Sequence, residues 1–306
     1  MKVSVVICTY TEEMYEHFRE AAESIQDQTY DDIELVLVSD GDQAVYERLQ
    51  EDYGDRPDAI VTRTDENVGI SAARNHGIEQ VTGDVVAQID DDAIADPEWV
   101  EELVSVYETT DAVAVGGKMT PAWVDGKPGF LPEEFYWLIG VTRDGFAEAG
   151  EEVRNTYGSN ISFRREVIEE LGGFDPNVGR KGDAEIQGHE SELGTRLRDQ
   201  FGRGVVYNPD AVVAHKVFDY RTEPLWLIKR SFWQGYSKRV LEKLLPDAGT
   251  VEESDFLRYL LFQSLPGRLK RLVRGPSLTR ASQLVWLVLL TGLVGLGYIY
   301  GIIKWR

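Results

Sequence analysis

The chain has 306 residues, 53 acidic against 32 basic side chains, one cysteine and 42% hydrophobic residues. Ordinary hydrophobicity with 7 Trp, 14 Tyr and 11 Phe excludes disorder, and the lone Cys8 excludes a disulfide framework or a multi-cysteine metal centre. Residues 1–220 hold 47 acidic and 18 basic side chains, whereas residues 221–306 hold 6 and 14; so acidic a body lacks the positive footprint that a general nucleic-acid binder needs.

Val3 to Ile7 is a continuous apolar, β-branched run, the pattern of a strand buried on both faces of a parallel sheet, with Cys8 packed at its end. A polar helix over about 13–28 follows, then a strand over 33–38 that ends at Ser39-Asp40-Gly41. A helix over 43–53, the short strand Ala59-Ile-Val61, the loop Asn67-Val-Gly69 and a helix from about Ser71 come next. The strand Val85-Val-Ala-Gln-Ile89 is closed by three aspartates, and Asp96-Pro97 predicts the opening of a helix, with an N-cap and a first-turn proline. Strands alternating with helices to residue 110 predict a doubly wound parallel sheet. From 111 to 220 the pattern is less regular: Val113-Ala-Val-Gly-Gly117, a Trp/Tyr-rich stretch, then Gly158 to Phe163 before a helix ending at Gly172-Gly173. One domain is expected over 1–220, a basic amphipathic segment over 221–280 and an apolar segment over 281–303.

That last segment runs 23 residues without a charge. At about 1.5 Å per residue it reaches roughly 35 Å, enough for a hydrocarbon core of about 30 Å. It reads as one membrane span; the competing reading is a buried core helix. Arg268, Lys270, Arg271, Arg274 and Arg280 precede it, suit anionic head groups and predict a cytoplasmic N-terminal body. Met1-Lys2 leads directly into a strand, so no signal peptide is expected. Gly297 and Gly301 have the spacing of a small-residue packing face. Surface carboxylates in excess, with 22 Arg to 10 Lys, fit a salt-rich cytoplasm of the halophilic archaeal kind.

In open α/β sheets ligands bind beyond the carboxyl ends of strands, where Thr9-Tyr10, Asp40 and Asp90-Asp91-Asp92 fall. Hard divalent cations, Mg²⁺ or Mn²⁺, take such carboxylates and keep substrate phosphates as further ligands. A solvated acidic turn is the other reading of the triple. No Gly-x-Gly-x-x-Gly follows the first strand and no Gly-Lys-Ser/Thr occurs, which removes dinucleotide oxidoreductases and P-loop enzymes.

The ordered set Val3-Ser-Val-Val-Ile-Cys-Thr-Tyr10, Leu37-Val-Ser-Asp-Gly41, Asn67-Val-Gly-Ile-Ser-Ala-Ala-Arg-Asn75, Gln88-Ile-Asp-Asp-Asp92, Gly172-Gly-Phe-Asp175 and Gly188-His-Glu-Ser-Glu-Leu-Gly-Thr-Arg196 resembles family 2 glycosyltransferases over residues 1–220. The resemblance implies the α/β GT-A fold, Rossmann-like with a mainly parallel sheet and helices on both faces, here followed by C-terminal amphipathic helices and one transmembrane helix. It further implies a UDP-sugar donor met by Thr9, Tyr10, Asp40, Asn67, Arg74, Asp90 and Asp91, and a Mg²⁺ or Mn²⁺ ion on Asp92 and His215. Ser159 and Asn160 match the acceptor side, and Glu190 the base of an inverting, single-displacement transfer. The family's acid before that base is replaced by His189, its double acid after the second strand is reduced to Ser39-Asp40, and Glu192 is the alternative base. Trp123, Trp137 and Tyr157 read either as sugar-stacking or as core residues. Within the family the chain resembles haloarchaeal glucuronosyltransferases acting on dolichyl-phosphate-linked hexose in protein N-glycosylation. That resemblance implies a lipid-linked acceptor, a membrane partner, and a cell-membrane location with one span and a cytoplasmic catalytic domain. A transferase for another lipid or polysaccharide, a catalytically silent nucleotide-sugar binder and a nucleotidyltransferase are the rival readings.

Overall fold

A computed structural model describes residues 1–181, 184–186, 188–244 and 251–304. The chain forms two compact units, Met1–Thr120 with Ala147–Lys216, and Pro121–Phe146 with Val217–Arg306.

The first unit begins β1 (Val3–Thr9), α1 (Tyr15–Gln26), β2 (Ile33–Ser39), α2 (Gln43–Tyr53), β3 (Ala59–Arg63), α3 (Ile70–Ile78), β4 (Val85–Gln88). These four strands pair in parallel in the order β3-β2-β1-β4. Their apolar runs bury both faces, as strand alternation requires. Val3, Val5, Ile7, Leu35, Leu37, Val85 and Ala87 join Tyr15 and Phe18 of α1 and Leu49 of α2 in one core cluster. On the other face Val6, Val36 and Val38 receive α3 at Gly77, where a Cβ would lie 2.6 Å from Val6 Cγ1.

Beyond β4 the sheet becomes mixed. β5 (Ala93–Ala95), α4 (Trp99–Thr109), β6 (Ala114–Trp123), β7 (Glu152–Val153), β8 (Ile161–Arg164), α5 (Arg165–Glu170), β9 (Gly179–Lys181), β10 (Ala184–Ile186), α6 (His189–Phe201) and β11 (Val205–Val217) follow. β8 runs antiparallel between β4 and β6, and β11 pairs antiparallel with β5 and β7. Asp96-Pro97 leads directly into α4. Asp96 Oδ1 accepts from the Glu98 amide (3.2 Å) and its carbonyl from the Trp99 amide (2.9 Å), so the turn sits where the helix start was expected and the N-cap falls two residues on, at Glu98.

At the opposite end of β1 and β2 from the strand-end aspartates, buried Glu34 accepts from Lys2 Nζ (2.7 Å), Ser4 Oγ (2.7 Å), Thr82 Oγ1 (2.6 Å) and the Thr82 amide (2.8 Å). Burial alone would raise its pKa, but these donors outweigh it and hold the carboxyl at about 2.

The second unit contains α7 (Pro224–Leu244), α8 (Val251–Tyr259), α9 (Leu265–Arg274) and α10 (Leu278–Lys304). The aromatic stretch 121–146, expected within the 1–220 body, groups here instead, because Leu131, Phe135, Leu138 and Ile139 pack with Leu227, Leu260, Leu287 and Leu290. Trp123 stands edge-on to Tyr136 at 5.6 Å and Trp137 to Phe256 at 6.3 Å, so both aromatics belong to this core. α10 is long and apolar enough to cross a membrane, with a mean hydropathy of 2.0. It packs along α7, and Gly297 and Gly301 serve that contact: a Cβ on Gly297 would lie 1.9 Å from the Phe232 carbonyl oxygen.

Candidate active site

The sheet order β2-β1-β4, with Thr9 opposite Ser39 and Val6 opposite Gln88, brings three strand ends to one edge. Thr9, Asp40 and Asp90 to Asp92 therefore gather there. Tyr10 is 58% exposed beside them.

Asp40 is buried, and its carboxylate accepts within the chain from Thr64 Oγ1 (2.9 Å), the Val68 amide (2.8 Å) and the Gly69 amide (3.0 Å). Asp40 thereby shapes the 64–69 turn that presents exposed Asn67. Gly41, at φ +80°, lets this turn approach, since a Cβ there would sit 2.1 Å from the Asn67 nitrogen.

The aspartate triple divides by environment. Asp90 is a third exposed at its side chain and binds Arg74 Nη2 (2.6 Å), while its amide donates to Ser159 Oγ (3.0 Å). Asp91 is half-buried with its Oδ2 enclosed, and desolvation of the carboxyl followed by the charge of Asp92 pushes its pKa up to about 8. Buried Asp92 stands with Oδ2 3.5 Å from Nε2 of buried His215, which β11 carries into place opposite β5. Two ligands of one octahedral cation at ~2.1 Å stand ~3 Å apart, so this pair fits a divalent ion. Among the described residues no three His, Cys, Asp or Glu side chains form a complete cage. Mg²⁺ commonly uses one or two protein ligands and completes its shell with water and substrate phosphates. At the ends of β1 and β4, both amide atoms of buried Gln88 have no protein partner, and the buried Thr9 hydroxyl faces the Asp91 carboxyl. Such a cluster calls for ligand, ion or water. Gln88 was missed from the sequence, although a glutamine inside a buried apolar strand was the available signal.

Arg74, expected to reach the donor, is instead 4% exposed and turned inward. Nη2 holds Asp90, Nη1 lies 2.9 Å from His189 Nε2, and the guanidinium sits 5.4 Å from the Phe174 ring centre. The same His189 Nε2 is 3.0 Å from Glu190 Oε1, which also accepts from the Gly158 amide (3.1 Å). Burial pushes the Glu190 pKa up, but the positive charge of His189 and Arg74 outweighs it and holds the carboxyl well below its usual range. A continuous polar chain thus runs from Asp90 through Arg74 and His189 to Glu190. Gly158 permits it, since a Cβ would meet Arg74 Nη1 at 2.6 Å and Glu190 Oε1 at 2.7 Å.

Glu192 is committed elsewhere. It is buried and takes a two-point bond from Arg196, at 2.5 and 2.9 Å, so it is an anchor and no base. Asn160 is likewise corrected as an acceptor contact. At 0% exposure, Oδ1 accepts from Trp99 Nε1 (2.9 Å), and Nδ2 donates to the carbonyls of Lys118 (3.2 Å) and Ala211 (2.9 Å). Ser159 is buried against the Asp90 amide, and Tyr157 packs partly against the main core.

This is the strand-end site of a nucleotide-sugar transferase fold, and the family model "Glycosyl transferase family 2" matches residues 4–172. The chain belongs to that family and is a glycosyltransferase. It is 53% identical over 304 residues, 99% of this chain and 97% of the relative, to the glucosyl-dolichyl phosphate glucuronosyltransferase of Haloferax volcanii. An uncharacterized glycosyltransferase of Nostoc is 31% identical over 58% of this chain and 55% of its own length. Among solved structures, the Pyrobaculum calidifontis mannosyltransferase PcManGT, in complex with GDP-Man and Mn²⁺, superposes with TM-score 0.61 at 19% identity, covering 98% of this chain and 87% of that one. S. aureus TarS with UDP-GlcNAc superposes with TM-score 0.57 at 15% identity, covering 94% and 79%. These two likenesses establish the GT-A fold.

Proposed function

We propose that the protein transfers glucuronic acid, with inversion, from a UDP-sugar to a hexose carried on dolichyl phosphate, at the cytoplasmic surface of the cell membrane. The observation that carries this reading is the 53% identity to a glucosyl-dolichyl phosphate glucuronosyltransferase along 99% of the chain, because it includes the C-terminal unit as well as the region common to the family.

The site supports the chemistry. Thr9, Tyr10 and Asn67 line the edge where a nucleoside would enter, and Asp90 and Asp91 face the sugar-diphosphate part. Asp92 and His215 would hold Mg²⁺ or Mn²⁺, whose charge offsets that of a departing nucleoside diphosphate. Glu190, ionised over the working pH range by its neighbours, accepts the proton of the acceptor hydroxyl as that oxygen attacks the anomeric carbon. One carboxylate base without a second nucleophile corresponds to a single displacement. Ser159 fixes the Asp90 end of the site through the Asp90 amide.

The second unit suits a lipid acceptor. Val285, Val288, Leu296, Ile299 and Ile303 leave an apolar stripe of α10 exposed, and α9 carries Lys270, Arg271 and Arg274. An anchor by α10 with the basic segment toward anionic head groups corresponds to one span with a cytoplasmic catalytic unit. Mass spectrometry of lipid-linked glycans from a strain lacking the gene tests the reading. Dolichyl-phosphate glycans that stop one hexuronic acid short are expected; an unchanged glycan profile would contradict it.

A further inference from the structure

His189 occupies the position where the family resemblance expects an acid, and its Nε2 faces two groups with opposite needs. Arg74 Nη1, at 2.9 Å, is a permanent donor and calls for a lone pair on Nε2. Glu190 Oε1, at 3.0 Å, calls for a proton between the two atoms. One ring nitrogen cannot offer a lone pair and a proton at once. The cluster therefore alternates between two arrangements. In one, Nε2–H donates to an ionised Glu190 and Arg74 is held by Asp90. In the other, Nε2 offers its single lone pair, which either the Arg74 N–H or the O–H of a protonated Glu190 can occupy.

The second arrangement is the one a base reaches after it has taken a proton from an acceptor hydroxyl. We propose that His189 is the positioning and relay residue of Glu190: it holds the carboxylate in place between turnovers and accepts from it the proton collected in the transfer. The inference rests on the reading of Glu190 as the base. The relay starts from the tautomer with a proton on Nδ1 and a lone pair on Nε2. The proton leaves the acceptor oxygen for Glu190 and passes to Nε2 while Nδ1–H is released to water, which leaves the Nε2–H tautomer holding an ionised Glu190. Proton exchange between the ring and water then restores the starting tautomer.

The surroundings suit this role. His189 is 15% exposed at its side chain, enough to meet water but not to swing free, and the Phe174 ring packs against it edge-on at 5.9 Å. The charged groups facing the imidazole among the described residues are Arg74 from α3 and Glu190 from α6, with Asp90 behind Arg74. Gly188, at φ +124°, turns the chain so that the first residue of α6 points into this cluster.

The test compares His189→Ala, His189→Gln and Glu190→Gln in the full chain, with UDP-glucuronate as donor and a glucosylated dolichyl phosphate as acceptor. His189→Ala is expected to lose about 10²-fold in kcat with donor affinity unchanged, to shift the acid limb of the pH profile, and to regain activity with added imidazole. His189→Gln keeps a side-chain amide near Glu190 but cannot relay a proton, and is expected to be slow whether or not imidazole is present. Imidazole should not rescue Glu190→Gln. Wild-type turnover and an unmoved pH profile in both His189 variants, beside an inactive Glu190→Gln, would overturn the relay alone. Normal turnover in Glu190→Gln would overturn the reading of the base itself.

Discussion

Glu190 and Glu192 stand two positions apart on α6, about 200° around the helix, and so meet different partners. Glu190 faces Gly158, His189 and Arg74, whereas Glu192 forms a buried two-point pair with Arg196. Glu190→Gln keeps shape and hydrogen bonding but cannot take a proton, so kcat should fall by about 10² to 10⁴ with donor affinity little changed, as a transfer assay beside a binding isotherm would read. Glu192→Gln should instead lower thermal stability by about 1 to 3 kcal/mol and leave kcat per folded molecule near wild type. Glu34 makes a separate prediction. Its folded pKa of about 2 lies below the ordinary value of about 4.3, so its stabilisation is fully present above that value and is lost as pH falls toward 2. The melting-temperature gap between wild type and Glu34→Gln should be wide at pH 7, narrow as pH falls below about 4 and nearly close at about pH 2; a constant gap would refute the linkage.

Among the elements, β1 to β4 were legible because each is a continuous apolar run or a run bounded by turn residues. β5 and β7 were not, since three and two residues are too few to display a period. β11 was hidden by Asn208-Pro209-Asp210, which reads as a turn yet lies within the strand, with the Asp210 amide donating to Asn208 Oδ1 (3.1 Å). In the site, residue types at strand ends were readable, but their partners were not: that Arg74 links Asp90 to His189 depends on α3 and α6 meeting across 115 residues of sequence. The glycine spacing on α10 was legible as a packing face, and its partner is α7 of the same chain. Gly235 lies opposite, where a Cβ would be 1.9 Å from the Val294 carbonyl oxygen. Gly297→Leu should therefore force α7 and α10 apart and lower the melting temperature, whereas Gly292→Leu, at a position open on all sides, should not.

Over the whole molecule, the uneven charge and the apolar stripe make separate demands. A body with 47 acidic and 18 basic side chains repels itself unless salt screens it, so the melting temperature should rise steeply between low and molar salt. Replacing exposed Val285, Val288, Leu296, Ile299 and Ile303 by serine should release the protein from membranes while donor binding persists, because the donor-side candidates all belong to the first unit. Continued sedimentation with membranes in high salt would place the anchor elsewhere. The central claim is tested most directly by incubating the purified full chain with UDP-glucuronate, Mg²⁺ or Mn²⁺ and glucosyl-dolichyl phosphate, then weighing the lipid by mass spectrometry. The account predicts an acceptor heavier by one hexuronic acid residue. An acceptor of unchanged mass, from enzyme that binds the donor, would contradict it.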